Sequence, residues 1–124
     1  MNEDVLLDSV IFIDHLNGIG AASEYLFGVS PRASISAITR AEVLTGYDAD
    51  EATHVRRLLD RFRFLPIDRE IADSAAALRR EFRWRLPDAL QAATARAHGL
   101  LLATRNTRDF PPDRHGFVRV PYSV

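Results

Sequence analysis

Four acidic residues stand where apolar segments of this 124-residue chain end or give way to polar sequence. They are Asp8, Glu42, Asp88 and Asp109, in the segments VLLDSVIFID, SAITRAEVLTG, WRLPDALQAATARAHG and LLATRNTRDF. Carboxylates that come from distant points of a chain are suited to holding Mg²⁺, which prefers oxygen ligands and often binds beside phosphates. The pattern therefore favours metal-assisted chemistry on phosphodiester bonds.

Three of these acids also fit ordinary structural roles when each is taken alone. Asp8 can cap the helix that is predicted to follow it. Asp88 comes directly after Pro87 at a predicted helix start, where the helix dipole favours a carboxylate by about 0.3–1 kcal/mol. Asp109 precedes two prolines and can serve as a turn or cap residue. The metal hypothesis therefore depends on all of the acids meeting in one place.

The positions of Ser9, Asp14 and Glu42 in the predicted elements suggest a role for each of them. The hydroxyl of Ser9, next to Asp8, could orient a metal-bound water. Asp14 lies about one and a half helical turns further on and is interpreted as a surface residue. Glu42 lies on the flank of an apolar helical stripe. It is interpreted either as a metal ligand or as a border residue that pairs with an arginine such as Arg40.

The periodicity of the apolar residues predicts alternating strands and helices along the whole chain. Alternation of this kind favours an α/β fold in which helices cover both faces of a parallel sheet. Ligands of such sheets bind beyond the carboxyl ends of the strands, where Asp8 and Asp109 are expected. The length predicts a single domain over residues 1–124. Strands are predicted at 5–7, 33–36, 64–67, 100–103 and 117–120. Helices are predicted at 9–16, at 21–27, from the Ser36 cap to 45, at 50–61, from the Asp68 cap to 82, and from 86 to the terminal Gly99.

The composition excludes several kinds of chemistry. The chain has no cysteine, which removes thiolate nucleophiles and zinc sites with sulfur ligands. All sixteen basic residues are arginine, so there is no lysine for a P-loop or a Schiff base. The four histidines, at positions 15, 54, 98 and 115, share no metal-ligand spacing. The acidic N-terminus predicts neither a signal peptide nor a membrane span, and a cytoplasmic location is expected.

Arginines cluster at 56–63 and 79–85, although the net charge is only −1. We expect most of them to form solvated helix faces paired with Asp60, Glu70 and Glu81. Some could instead contact phosphates.

In their order and spacing, the four acidic segments resemble the motifs of the PIN-domain ribonucleases, and specifically the toxins of VapBC-type toxin–antitoxin modules. LLDSVIFIDHL resembles the first motif, with Asp8 and the hydroxyl of Ser9. SISAITRAEVLTG and LPDALQAATARAHG resemble the second and third motifs. LLATRNTRDF resembles the fourth, which contributes Thr104, Asn106 and Asp109. The similarity extends over nearly the whole chain.

The resemblance implies a three-layer α/β/α domain and a ribonuclease that depends on Mg²⁺ or Mn²⁺. It implies that Asp8, Glu42, Asp88 and Asp109 bind the metal and carry catalysis, with Ser9, Thr104 and Asn106 as supporting polar groups. It further implies an RNA substrate, a homodimer and inhibition by a small VapB-like antitoxin. The sequence departs from the family pattern at two positions: Gln91 replaces a commonly apolar residue, and Asn106 stands where some relatives carry aspartate.

Three other interpretations are compatible with parts of the sequence. A non-catalytic PIN-like module could bind RNA or protein, although the presence of all four acids argues against it. A phospho-acceptor domain of the receiver or haloacid-dehalogenase kind would also place Asp8 at a strand end. Such a domain needs a second acid where Val10 stands and a lysine that the chain lacks. A structural partner could use the alanine-rich segment 89–97 as a helix interface.

Overall fold

A computed structural model describes residues 3–124, in which strands and helices alternate as predicted. A single 3₁₀ turn, Ser30–Arg32, leads into the second strand. The strands are β1 (Val5–Leu7), β2 (Ala33–Ser36), β3 (Arg63–Leu65), β4 (Leu101–Ala103) and β5 (Val118–Arg119). The helices are α1 (Ser9–Leu16), α2 (Gly20–Val29), α3 (Ala37–Thr45), α4 (Ala49–Leu59), α5 (Arg69–Phe82) and α6 (Leu86–Ala97).

The five strands form one sheet in the order β3-β2-β1-β4-β5, and every neighbouring pair is parallel. The chain builds the sheet outward from β1 in one direction and then returns to add β4 and β5 on the other side of β1. The order therefore reverses between β1 and β4, and a crevice opens beyond the carboxyl ends of these two strands. Both strands lead directly into segments that carry predicted site residues.

Two separate apolar cores confirm the three-layer α/β/α architecture. In β1, Val5 and Leu7 point into a core formed with α1 to α4, whereas Leu6 points into a core formed with α5 and α6. This alternation follows from the two-residue period of a strand. All three side chains are almost completely buried, which explains why β1 has no polar residue.

Side-chain caps explain most of the helix starts. Ser36 accepts a hydrogen bond from the Thr39 amide, and Asp68 accepts one from the Ile71 amide. Asp48 and Glu51 form a reciprocal capping box at the start of α4. After α6, Gly99 adopts the left-handed conformation with a φ of 64°, which favours glycine and stops the helix where predicted.

Two predicted strands extend too far at their carboxyl ends. β3 covers Arg63–Leu65 and stops before Pro66, because proline has no N–H to donate to the ladder. β5 covers only Val118–Arg119, shortly before Pro121. The predicted second helix is too short, because α2 continues through Gly28 to Val29, whose buried side chain packs in the first core. Packing here outweighs the low helix propensity of glycine.

The interpretation of Asp14 as a surface residue is wrong. Asp14 is buried, and its carboxylate accepts bonds of 2.7 and 2.9 Å from the guanidinium of Arg105. The hydroxyl of Tyr122 donates a third bond of 2.7 Å to the same carboxylate. The prediction failed because both partners lie more than 90 residues further along the chain, in segments that only the folded structure brings to α1.

The expected pairing of the arginine clusters is also wrong. Asp60 pairs at 2.8 Å with Arg40, which lies outside both clusters and is therefore not a partner for Glu42. Within residues 3–124, neither Glu70 nor Glu81 forms an ion pair. Most clustered guanidiniums are therefore solvated without a fixed carboxylate partner.

We expect Asp14→Asn to destabilise the fold by about 1–3 kcal/mol at neutral pH, because it leaves Arg105 without its charged partner. Hydrogen bonding from Arg105 is the main cause that lowers the pKa of Asp14 below its ordinary 3.8, and Tyr122 adds to it against the opposing effect of burial. Because the pKa of Asp14 is lower in the folded state than in the unfolded state, the ionised carboxylate stabilises the fold above pH 3.8. This stabilisation is lost as the pH falls through the lowered pKa. Urea unfolding should therefore show the difference from wild type shrinking below that pH.

Asp73→Asn is the matched control for this measurement, because Asp73 is an exposed acid on α5. It should leave the unfolding free energy within about 0.5 kcal/mol of wild type. A penalty for Asp14→Asn that stayed constant across the acidic range would contradict the assigned ion pair.

Candidate active site

The candidate site lies at the crevice between the carboxyl ends of β1 and β4. Asp8 directly follows β1, and its backbone amide donates to the carbonyl of Ala103 at the end of β4. The hydroxyl of Thr104, the next residue, donates a bond of 2.6 Å to Asp8 Oδ2. Two residues that are 96 positions apart in the chain are thereby held together at the point where the strand order reverses.

Asp8 performs the capping role that was one of its two alternatives in the sequence, and it is also held by side chains from other elements. Its Oδ1 atom accepts a 2.8 Å bond from the amide of Ser9 and so caps α1. The same atom accepts a 3.1 Å bond from Gln91 Nε2, in the middle of α6. The carboxylate is buried, and three donors from three different elements fix its position. It is thus held at the crevice as a rigid group.

Gln91 organises this part of the site, although nothing in the sequence assigned it such a role. Its Nε2 also donates to the hydroxyl of Thr39 at 2.6 Å, and its Oε1 accepts a 2.5 Å bond from the hydroxyl of Ser36. Thr39 in turn donates to the carbonyl of Leu7. We call the side chains of Gln91, Ser36, Thr39 and Asp8 the Gln91 network. The network ties the start of α3 to α6 and β1.

The signal that could have identified Gln91 is its surroundings in α6. Residues 91 to 95 are all buried, and three of them are alanine. A long amide at the centre of such a face must find hydrogen-bond partners, because an unpaired buried polar group costs about 1–3 kcal/mol. The departure from the family pattern noted in the sequence is thus the residue that connects these elements.

Glu42 comes from α3 and is solvent-accessible, yet the buried carboxylate of Asp8 affects its pKa. Loss of hydration on its protein-facing side is the main cause that raises its pKa, and the negative charge of Asp8 raises it further. The Ser9 hydroxyl and the guanidinium of Arg85 oppose this rise in pKa. Glu42 therefore lies close enough to Asp8 for their charges to interact.

Asp88, in the first turn of α6, is buried beside the same carboxylates. Desolvation is again the main cause that raises its pKa; the guanidinium of Arg85 opposes this rise, and the charges of Asp109 and Asp8 add to it. Its Oδ2 atom is buried and has no hydrogen-bond partner in residues 3–124. The nearest cation, Arg85, leaves its Nε 3.5 Å from that oxygen, too far for a good hydrogen bond. Arg85 itself is largely exposed.

Asp109 is positioned by the loop that follows β4. Asn106 donates from its side-chain amide to Asp109 Oδ2 at 3.0 Å, and its own side-chain oxygen accepts the backbone amide of Asp109. The backbone amide of Asn106 donates to the hydroxyl of Thr104, and this bond links the loop to Asp8. Trp84 secures the other side by donating from its indole to the carbonyl of Asp109 at 2.8 Å.

The donor set fits a hard divalent cation. The charge of Asp8 raises the pKa of Glu42 and of Asp88, and the charge of Asp109 also raises that of Asp88. Asp88 Oδ2 accepts no hydrogen bond within residues 3–124, so a cation beside these carboxylates would offset their repulsion. In residues 3–124, no three His, Asp or Glu side chains stand close enough to hold an ion as they are placed. This spacing is compatible with Mg²⁺, which binds through one or two carboxylates and keeps several waters.

Comparison with known protein families gives a match over most of the chain. The family model of the PIN domain matches residues 5–111. Ribonuclease VapC10 of Mycobacterium tuberculosis (strain CDC 1551 / Oshkosh) is 39% identical over an alignment that covers 86% of each protein.

Solved structures show the same fold. A chain of a toxin–antitoxin complex from Klebsiella pneumoniae aligns with a TM-score of 0.87 and 37% identity, covering 98% of this chain and 100% of that one. A chain of FitAcB from Neisseria gonorrhoeae aligns with a TM-score of 0.78 and 25% identity, covering 97% and 99% of the two chains.

We expect Gln91→Leu to lower the free energy of unfolding by about 1–3 kcal/mol, because it removes both donors and the acceptor of the Gln91 network. Thr94→Val is the matched control on the same buried face of α6, since Thr94 bonds only the carbonyl of Leu90 in its own helix. The control should cost clearly less in the same urea titration. Equal losses of unfolding free energy in the two variants would show that the hydrogen bonds of Gln91 add no more stability than the single bond of Thr94.

Proposed function

The chain belongs to the PIN-domain family, and from that premise we propose that it is a divalent-metal-dependent endoribonuclease, the toxin of a type II toxin–antitoxin pair. Its matching relative is a ribonuclease, and one of its structural neighbours is a toxin–antitoxin complex. Both are more than 30% identical to this chain, and the alignments cover most of it. Within residues 3–124, no helix has the length and apolar character needed to cross a bilayer.

One observation carries the proposed chemistry: the buried, unpartnered Oδ2 atom of Asp88. A carboxylate oxygen without a donor is costly in a protein interior. Here the charges of Asp8 and Asp109 add to the cost, and the guanidinium of Arg85, 3.5 Å away, offsets part of it. A fold that keeps such an oxygen next to further acids is suited to binding a cation, and Mg²⁺ or Mn²⁺ matches the all-oxygen ligand set.

We assign the residues of the chain different roles at this centre. Asp8 is the rigid ligand, because the Gln91 network and Thr104 hold its carboxylate in place. Asp88 offers its free oxygen, and Glu42 approaches from α3 and completes the ligand set directly or through water. Asp109 completes the cluster from the loop after β4. Ser9, Thr104 and Asn106 support these acids as hydrogen-bond partners rather than as ligands.

When bound, the metal would polarise a phosphoryl oxygen and lower the pKa of a water to yield hydroxide. The chain supplies the geometry for this reaction. Fixed carboxylates hold the reacting groups in one orientation without a reorganisation cost at the time of reaction. The solvent-accessible Glu42 and the hydroxyl of Ser9 are placed to orient a water on the open side of the site. Arg85, exposed beside Asp88, can contact the phosphate of a bound RNA.

We expect Asp88→Asn to abolish RNA cleavage and at the same time to raise thermal stability. The amide removes a buried negative charge from beside Asp8 and Asp109, which the largely exposed Arg85 at 3.5 Å offsets only in part, so the metal-free fold should gain stability. Cleavage of total cellular RNA by purified protein should require Mg²⁺ or Mn²⁺ and stop with EDTA. Asp73→Asn, an exposed change on α5, should cleave like wild type.

Full activity of a pure Asp88→Asn sample would contradict the assignment of the site. Absence of cleavage by the wild type with every metal would favour the alternative function, a non-catalytic PIN-like module that binds RNA or protein. Calorimetric titration with Mn²⁺ separates an inactive centre from a very selective enzyme, because only the latter should bind the metal.

The proposed biological role includes a small VapB-like antitoxin and a homodimer of this chain. We expect expression of the wild type alone to slow growth, and co-expression of a small protein encoded beside it to restore growth. Asp88→Asn is the control, since it should be harmless at the same expression level. Normal growth with verified wild-type expression would argue against the toxin role and leave the nuclease activity to be judged by the cleavage assay.

A further inference from the structure

The cleft on the outer side of Asp109 combines aromatic rings with arginines. Its lining includes Phe82 and Arg83 at the end of α5, Arg108 beside Asp109, and Arg114 and His115 in the loop before β5. We call these five residues the aromatic–arginine surface. Asp109 forms part of the same wall, so the surface begins at the candidate active site.

The rings of this surface form a continuous packed set. Phe82 stacks on Trp84 with ring centroids 4.5 Å apart and an interplanar angle of 21°. His115 meets Phe82 edge-on at 5.1 Å. Trp84 is buried, but Phe82 is 40% exposed and His115 is partly exposed. Apolar ring surface is thus open to solvent directly beside a polar, charged site.

The three guanidiniums are exposed, and their charges are uncompensated. Within the part of the chain that the structure describes, Arg83, Arg108 and Arg114 form no ion pair and no side-chain hydrogen bond. Arg83 also ends α5 in the left-handed conformation, with φ 60° and ψ 29°, where glycine or asparagine is usual. Arg83 is the one non-glycine residue with positive φ in residues 3–124, and its backbone strain lies at this cleft.

The size of the cleft limits what it can hold. Its volume of about 180 Å³ is below the roughly 300–1,000 Å³ typical of small-molecule sites. It therefore suits one part of an extended ligand better than a complete cofactor. Exposed rings that stack with a planar group, together with cations that contact phosphate, are the combination that binds unpaired nucleotides.

An electrostatic requirement points to the same ligand. The candidate centre gathers four acids, and the chain as a whole has a net charge of −1. An RNA strand approaching this centre meets repulsion from the acids that the metal offsets only locally. Cations placed just outside the centre would hold the flanking phosphates. The aromatic–arginine surface supplies them on the Asp109 side.

We propose that the aromatic–arginine surface is a substrate subsite that binds an unpaired nucleotide flanking the scissile phosphate, with its base on Phe82 and His115 and its backbone on Arg83, Arg108 and Arg114. This inference rests on the proposed function and adds to it the residues that bind the base and the phosphates beside the scissile bond. The rings need an unstacked base, so a duplex cannot use the subsite.

The test measures RNA binding separately from cleavage. In an Asp88→Asn background with Mg²⁺, fluorescence anisotropy follows a labelled single-stranded oligoribonucleotide of mixed sequence, and the same strand annealed to its complement. We expect Phe82→Leu to weaken single-strand binding about tenfold, because one base can no longer stack on the ring. We expect Arg108→Ala and Arg114→Ala each to lower the salt slope of binding by about 0.7 for every phosphate that the guanidinium neutralised. Duplex binding should change little with Phe82→Leu.

Matched controls come from β3 at the opposite edge of the sheet. Phe64 is 47% exposed there and Arg63 is its exposed neighbour, so Phe64→Leu and Arg63→Ala repeat the chemical changes away from the subsite. Both should bind RNA like the parent. The arginine variants keep the test decisive if Phe82→Leu loses its fold in a thermal melt.

The outcomes separate the subsite from the proposed function. Tight single-strand binding by the parent that none of the subsite variants weakens would overturn the subsite and leave the nuclease proposal intact. Unchanged RNA binding combined with lost binding of a protein partner would reassign the surface to that partner. No RNA binding by the parent, together with no cleavage by the wild type, would overturn both.

Discussion

The position of the Asp8 carboxylate is the constraint on which the rest of the site depends. It lies beyond the carboxyl ends of β1 and β4, where the strand order of the parallel sheet reverses, and it is buried there. A buried carboxylate is stable only when its lone pairs are satisfied. Donors from α1, α6 and the segment after β4 meet this need. The same bonds that satisfy the charge also hold three elements in register at the crevice.

This arrangement explains why polar residues occur in the middle of apolar elements. Ser36, Thr39 and Gln91 are nearly inaccessible to solvent, yet each forms hydrogen bonds with other members of the network, and Thr39 also donates to the carbonyl of Leu7. A polar network of this kind is stable only when every member is satisfied. The buried network and the candidate site are therefore joined by hydrogen bonds, and we expect a substitution inside the network to change the position of Asp8.

The two sides of the site have opposite electrostatic character. On the inner side, donors surround Asp8 almost completely. On the outer side, Asp88 Oδ2 accepts no hydrogen bond within residues 3–124, and Glu42 is exposed. Arg85 lies beside Asp88, and Arg83, Arg108 and Arg114 line the cleft next to Asp109. Acids at the centre and cations at the rim are what a metal-dependent reaction on a polyanion requires, since the centre must bind the metal and the rim must attract the substrate.

Local sequence signals were sufficient for the elements and for the acids that follow them. β1, α1 and β2 have the predicted bounds, because apolar periodicity, the Asp8 and Ser36 caps and the breaks at Gly18 and Pro31 all act within a few residues. The resemblance to a family predicted in addition that Asp8, Glu42, Asp88 and Asp109 act as a group. These features could be read from the sequence because their physical causes are local or repeated in a recognisable order.

Other features depend on contacts between distant parts of the chain and were decided by the tertiary structure alone. Asp14 was interpreted as exposed, because nothing near it in the sequence shows that Arg105 and Tyr122 will pack against α1. Gln91 looked like a departure from a pattern until the fold placed Asp8, Ser36 and Thr39 around its amide. The unpartnered oxygen of Asp88 is likewise a property of the folded interior. Sequence determines which groups are available, and burial determines which of them must find partners and which one is left free.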